Sequence, residues 1–218
     1  MLTISVRVEE LNCLVVGGGE VAERRILKVL EAGGRVHVLS PMVTPTILAL
    51  VEEGKVSWSK ASYVPGELPP AHLVWVVTDN VEVNEQASEE AIKRGSLVNR
   101  ADDAESSLFT MPASTLLGEL EIFVSTGGAS PRLNRLLRAD MEARYASVQA
   151  ILPSLRTFRN EVKTWITTPK EREVFWQTYL TPHDVELLLK GRHKAVEEKL
   201  QNAIYSIRAK SQDSSHKR

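Results

Sequence analysis

The run Cys13-Leu14-Val15-Val16-Gly17-Gly18-Gly19-Glu20-Val21-Ala22 constrains this chain more than any other stretch. Four apolar residues read as a buried strand, three glycines follow, and helix-forming residues begin at Glu20. Gly17, Gly19 and Ala22 occupy the small positions of a G-x-G-x-x-A fingerprint. Gly17 would make the tight turn off the strand. Gly19 would let the backbone approach a pyrophosphate, and Ala22 would let the helix lie close to the strand. The pyrophosphate then sits on free N–H groups at the positive end of the helix dipole. The alternative is a glycine-rich turn that holds no ligand.

The rest of the first hundred residues supports an α/β reading. Met1 to Glu10 alternates apolar and polar residues, as a short strand would, and lacks the basic and apolar regions of a signal peptide. Val21, Ala22, Ile26, Val29 and Leu30 recur at helical spacing, and Gly33-Gly34 ends that helix. Arg35–Leu39 reads as the second strand. Thr44 caps a helix with Pro45 in its first turn, and Lys55–Ser59 is a third strand. Leu73–Val77 is an unbroken apolar run, as expected of a strand buried on both faces. A helix to Arg94 and a strand at Leu97–Arg100 follow. The alternation predicts a Rossmann-like, doubly wound parallel sheet.

Ligands in such sheets lie at the C-terminal strand ends. The expected cofactor-binding set is therefore Gly17, Gly19, Glu20, Val21, then Ser40, Pro41 and Met42 after the second strand, and Thr78 after the fourth. Asp79 and Asn80 border the same crevice or cap the next helix. No acid follows the second strand until Glu52, so Ser40 is left as the candidate for a ribose hydroxyl, and NAD is only weakly separated from NADP.

Beyond residue 100 the pattern changes. Leu108–Pro112 and Leu120–Thr126 are extended, and Ser130-Pro131 starts a helix with the apolar stripe Leu133, Leu136, Leu137 and Met141. From Val148 the chain reads as all-helical, with helix starts at Thr168-Pro169-Lys170-Glu171 and Thr181-Pro182-His183-Asp184. The tail Ser211–Arg218 is polar and expected to fray. The resulting division is a cofactor domain over 1–112, a small α+β dimerisation region over 113–148, and a helical domain over 149–218.

Composition excludes several classes. The formal net charge is −1, which gives no general pull towards nucleic acid or membrane. No apolar stretch reaches the roughly 20 residues of a membrane helix. The single cysteine, Cys13, allows no intrachain disulfide and fits a reducing compartment, so a cytoplasmic protein is expected. The histidines, His37, His72, His183, His193 and His216, are scattered without ligand spacing, so no metal site is expected. His37 reads as structural.

With these segments placed, the sequence resembles the precorrin-2 dehydrogenase module of siroheme synthases over roughly residues 1–150. The resemblance rests on Val15–Arg24; on Thr78-Asp79-Asn80 with Asn84; on Val98-Asn99-Arg100-Ala101-Asp102; on Phe109-Thr110-Met111-Pro112; and on Ser125-Thr126-Gly127-Gly128-Ala129-Ser130-Pro131 with Leu136-Leu137-Arg138. It implies NAD-dependent oxidation of precorrin-2 to sirohydrochlorin by a homodimer. Some members also insert Fe²⁺ into that tetrapyrrole, which would make the ion a second substrate of a bifunctional dehydrogenase and ferrochelatase. No methyltransferase segment follows, so a free-standing form is expected. Asp102 matches the family's functional aspartate, as general base for the proton lost with the hydride or as the cap of a turn. Arg132 and Arg135, with Arg138, are candidates for the substrate carboxylates or a solvated helix face, and Ser125 with Thr126 is a candidate to hydrogen-bond substrate or the polar end of a strand. Arg100-Ala101 stands where the family often has an apolar pair, and Asp103 adds a second acid. A non-catalytic NAD(H)-binding redox sensor is the competing class.

Overall fold

The computed structural model describes residues 3–215. The chain divides into two compact units, residues 1–111 and 112–218.

The first unit is a five-stranded parallel sheet, made of β1 (Asn12–Val16), β2 (Arg35–Leu39), β3 (Val56–Ser59), β4 (Leu73–Val76) and β5 (Leu97–Arg100). Its order is β3-β2-β1-β4-β5, the doubly wound order with a switch point between β1 and β4. Successive strand residues face opposite ways, and this sorts the core into two layers. Cys13, Val15, Val36, Val38 and Trp75 pack with Ala22, Ile26 and Val29 of α1 (Glu20–Glu31) and Ile47 of α2 (Pro45–Glu52). Leu14, Val16, Val74, Val76 and Val98 pack with Ala87 and Ala91 of α3 (Val81–Lys93). The strands are apolar on both faces because both faces are covered.

Two local devices hold this sheet's periphery. Glu90 on α3 accepts from Tyr63 Oη at 2.6 Å, Gly66 N at 2.8 Å and Leu68 N at 3.0 Å, which fastens the proline-rich loop before β4. Phe109 meets Trp75 edge-on, with ring centroids 5.3 Å apart.

The N-terminal strand expected over Met1–Glu10 is not found among the described residues. Thr3–Val8 pairs with no strand, and Ile4 and Val6 are exposed. An alternating pattern makes a strand only where a sheet edge receives it, and here none does. Met1 and Leu2 lie outside the described residues.

The second unit opens with an antiparallel hairpin, β6 (Ala113–Leu117) and β7 (Leu120–Val124). The first extended segment thus lies downstream of the expected Leu108–Pro112. Gly118, at φ +59°, is the first of two turn residues, and the turn fixes Leu117 opposite Leu120. Residues 108–109 instead give their amides to Val98 O. Next come α4 (Pro131–Tyr145), a short 3₁₀ turn (Val148–Ile151), α5 (Leu152–Trp165), α6 (Pro169–Tyr179), α7 (Pro182–Leu189) and α8 (His193–Ser215). Ile151, Phe158, Val162, Phe175, Leu188, Val196 and Leu200 form its core. Thr168 caps α6, and Thr181 with Asp184 forms the capping box of α7. Helix α8 continues through Ser211 to Ser215, with no glycine or proline to interrupt it. His216, Lys217 and Arg218 lie outside the described residues.

Candidate functional site

The three glycines do different work. Gly17 sits at φ +121°, and a Cβ there would stand 2.8 Å from Val77 O. A Cβ on Gly18 would stand 2.0 Å from Met42 O. Both positions therefore need glycine for the fold itself. A Cβ on Gly19 would meet nothing within 4 Å. Gly19 is the N-cap of α1 and supplies no side chain to the helix start. The first turn of α1 thus has no side-chain cap, and the space beside Gly19 is open, as a diphosphate cradle requires. Glu23, one turn on, accepts from Thr44 Oγ1 at 2.6 Å. These residues fit a bound dinucleotide.

The end of β2 borders the same cradle. Gly17 N donates to Leu39 O at 3.0 Å, and Thr44 N donates to Gly18 O at 3.0 Å. Ser40 is buried, and its hydroxyl donates to Met42 O at 2.7 Å. Its oxygen remains able to accept from a ribose hydroxyl. Pro41 and Met42 are exposed. His37 bonds Ser57 Oγ at 2.8 Å and Ser59 Oγ at 3.0 Å, and burial lowers its pKa. Both ring nitrogens are thus used within the sheet.

Beyond β4 the chain turns at Thr78, and Asn84 of α3 builds that turn. Asn84 is buried, at 1% exposure, and its Oδ1 accepts from Thr78 N at 3.1 Å and Thr78 Oγ1 at 2.6 Å. Its Nδ2 donates to Thr78 O at 3.0 Å. Asn80 caps α3, accepting from Glu82 N and Val83 N.

Asp102 follows β5. Arg100 Nε donates to its Oδ1 at 3.2 Å and Arg100 Nη2 to its Oδ2 at 2.9 Å. Arg100 first, and then Asn84, hold the Asp102 pKa below its ordinary value against the opposing effect of burial. Asp103 faces its own loop, accepting from Ser106 Oγ and from the amides of Glu105 and Ser106.

In the second unit, Ser125 is exposed and accepts from Gly127 N at 3.2 Å. Ser130 caps α4. Arg132 and Arg135 are exposed on α4 and hold no ion pair among the described residues, whereas Arg138 pairs with Glu142 at 3.3 Å. No group of three or more His, Cys, Asp or Glu converges among the described residues.

Gly17, Gly19, Glu20, Val21, Ser40 and Thr78 thus stand at the C-terminal edge of one sheet, with Asp102 at the end of its β5. Reading the sequence missed Arg100 and Asn84 as working parts. Asn84 was visible only as a motif residue, and Arg100 only as a departure from the family pattern.

The family described as "Putative NAD(P)-binding" matches residues 4–113. The chain belongs to this family. Its cofactor is therefore a nicotinamide dinucleotide. The family described as "Sirohaem synthase dimerisation region" matches residues 154–204. That match lies C-terminal to 113–148, the segment expected to dimerise. The chain is 33% identical over 204 residues to the siroheme synthase of Methylobacillus flagellatus, and 34% identical over 209 residues to siroheme synthase 1 of Aeromonas salmonicida. These alignments cover 93% and 94% of this chain but only 44% of each relative. The chain so spans less than half the length of these relatives. Its fold is similar to that of "SirC, precorrin-2 dehydrogenase", with a TM-score of 0.74 and 22% identity over 93% of this chain and 100% of that one. No helix among the described residues is long and apolar enough to cross a membrane.

Proposed function

We propose that this NAD(P)-binding family member oxidises precorrin-2 to sirohydrochlorin, with NAD⁺ as the hydride acceptor. One observation carries the reading: the open cradle at Gly19 and the carboxylate of Asp102 lie at the C-terminal edge of one sheet. The alignment with siroheme synthases over nearly the whole chain supports the choice of tetrapyrrole.

The bound dinucleotide supplies the hydride acceptor. Gly19 and the first turn of α1 bind its diphosphate, and Ser40 accepts from a ribose hydroxyl. The segment Ser40–Thr44 has no arginine or lysine to receive a 2′-phosphate, which favours NAD over NADP. A hydride leaves the macrocycle with its electron pair, so positive charge develops on the substrate before a proton is lost. Asp102 offers a carboxylate to that charge or to that proton. Arg132 and Arg135, with Ser125, are suited to the substrate's carboxylates, because guanidinium binds carboxylate through paired hydrogen bonds. The working form is a homodimer. A reducing, cytoplasmic setting suits Cys13, whose pKa burial pushes up to about 11.

The test is an anaerobic incubation of the purified chain with NAD⁺ and enzymatically made precorrin-2, followed by absorbance. The sirohydrochlorin spectrum is expected. NADH binding without turnover would favour the redox sensor instead, and siroheme formation on adding Fe²⁺ would add the ferrochelatase step.

A further inference from the structure

The Arg100–Asp102 pair is built more tightly than the end of a strand requires. Arg100 is the last residue of β5, and its side chain is 9% exposed. Its guanidinium spans both oxygens of Asp102, at 3.2 and 2.9 Å. From α3, Asn84 helps keep the same carboxylate ionised, while its amide oxygen and nitrogen hold Thr78. The other charged groups facing the pair are Asp103, 3.9 Å from Arg100 Nη1, and Glu85 of α3. The turn after β4 presents Thr78, which is neutral.

We propose that Arg100 is a positioning residue: its two-point contact fixes the direction of the Asp102 carboxylate and makes it a standing negative charge rather than a proton carrier. This rests on the reading of Asp102 as the carboxylate beside the reacting ring. Each Asp102 oxygen accepts one N–H from Arg100, so a proton on either oxygen would remove the charge that the guanidinium faces and weaken the paired contact. A general base that gains and returns a proton in every cycle works best with a pKa near the operating pH, and an adjacent guanidinium favours the ionised carboxylate instead. Asp102 keeps 27% of its side chain exposed, with one oxygen on each arm of the guanidinium. Such a group acts through its field. A hydride passes from precorrin-2 to NAD⁺ with two electrons, forming NADH. The macrocycle is left positively charged opposite Asp102 and gives its proton to water.

The experiment is a ¹³C-carboxyl NMR titration of the full chain, with the Asp102 signal identified by its loss in Asp102→Asn. In the wild type this signal stays in its ionised position throughout the neutral and mildly acidic range. In Arg100→Met its midpoint rises by about 1–3 pH units, the shift expected on removing an adjacent opposite charge. Arg100→Lys falls between, because it restores charge without the two-point contact. Single-turnover NADH formation is flat with pH in the wild type over that range and gains an acid limb in Arg100→Met at the midpoint seen by NMR. An unchanged midpoint in folded Arg100→Met would overturn the proposal. So would a rate lowered equally at every pH, which is the signature of a merely structural residue. The NMR arm needs no substrate, so a chain that leaves precorrin-2 unoxidised overturns the reaction and not the Arg100 clamp.

Discussion

The carbonyl oxygen of Met42 occupies the space a Cβ of Gly18 would need, at 2.0 Å. This contact joins the loop after β1 to the loop after β2, and Thr44 N closes it by donating to Gly18 O. The loop after β1 and the loop after β2 are therefore held against each other.

Gly18 and Gly19 should then separate fold from binding. Gly18→Ala is expected to lower the melting temperature, because the Met42 loop must move. Gly19→Val is expected to melt near the wild-type temperature, since open space surrounds the position, and to lose NAD⁺ affinity more than about tenfold as its side chain enters the diphosphate site. Calorimetric titration beside thermal melts checks both. Wild-type NAD⁺ affinity in folded Gly19→Val would remove the dinucleotide from this loop.

Asp102 and Asp103 should differ although they are neighbours. Asp102→Asn keeps shape and removes charge, so turnover should fall by about 10²–10⁴-fold with little change in NAD⁺ affinity. Asp103→Asn should be mild, because Asp103 serves its own loop through Ser106. Initial rates of NADH appearance for both variants decide the matter, and near wild-type turnover in Asp102→Asn would take Asp102 out of the mechanism.

The helical unit should owe acid stability to Asp184. This carboxylate is 1% exposed, and its Oδ2 accepts from Thr181 N, Thr181 Oγ1 and Lys199 Nζ at 2.6 to 2.7 Å. Burial raises its pKa, but Lys199 and Thr181 outweigh that and bring it to about 2. A depressed carboxylate stabilises the fold above its unfolded pKa and loses that stability as pH falls through the folded one. The contribution, about 2 kcal/mol, should thus be complete above the ordinary aspartate pKa of 3.8 and vanish towards pH 2. Asp184→Ala should cost on the order of 3 kcal/mol at neutral pH, since Lys199 loses its partner and α7 loses one half of its capping box. Denaturant melts of both proteins at neutral and acidic pH measure this. Equal acid sensitivity in the two would contradict it.

Helix α4 has no buried residue in the single chain, and Leu133, Leu136 and Leu137 are exposed on it. A homodimer that covers them is expected by sedimentation at micromolar concentration. Leu133→Asp with Leu137→Asp should give monomers of unchanged helicity. A wild-type monomer would contradict the dimer.

The sheet was legible because its signals are local. The apolar run at β1, the glycine fingerprint and the helix stops at Gly33, Gly54 and Gly95 each act within a few residues. The caps at Thr44, Asn80, Ser130 and Thr168 were readable for the same reason. The hairpin was misplaced because its register depends on Gly118, a single turn residue in an otherwise ordinary Leu-Gly-Glu-Leu stretch. The N-terminal alternation misled because periodicity says which face is apolar, not whether a neighbour exists. At the site, Asp102 was legible through the family resemblance alone. Its clamp was not, since Arg100 reads as an ordinary strand-end charge.

The most direct test of the central claim is stoichiometry under anaerobic conditions. Precorrin-2 and NAD⁺ are incubated with the wild-type chain or with Gly19→Val, and NADH and sirohydrochlorin are measured together. The wild type should form one NADH for each sirohydrochlorin, and Gly19→Val should form neither above background. Sirohydrochlorin appearing without NADH, or tight NAD⁺ binding with no product, would contradict the assignment of this chain as a precorrin-2 dehydrogenase.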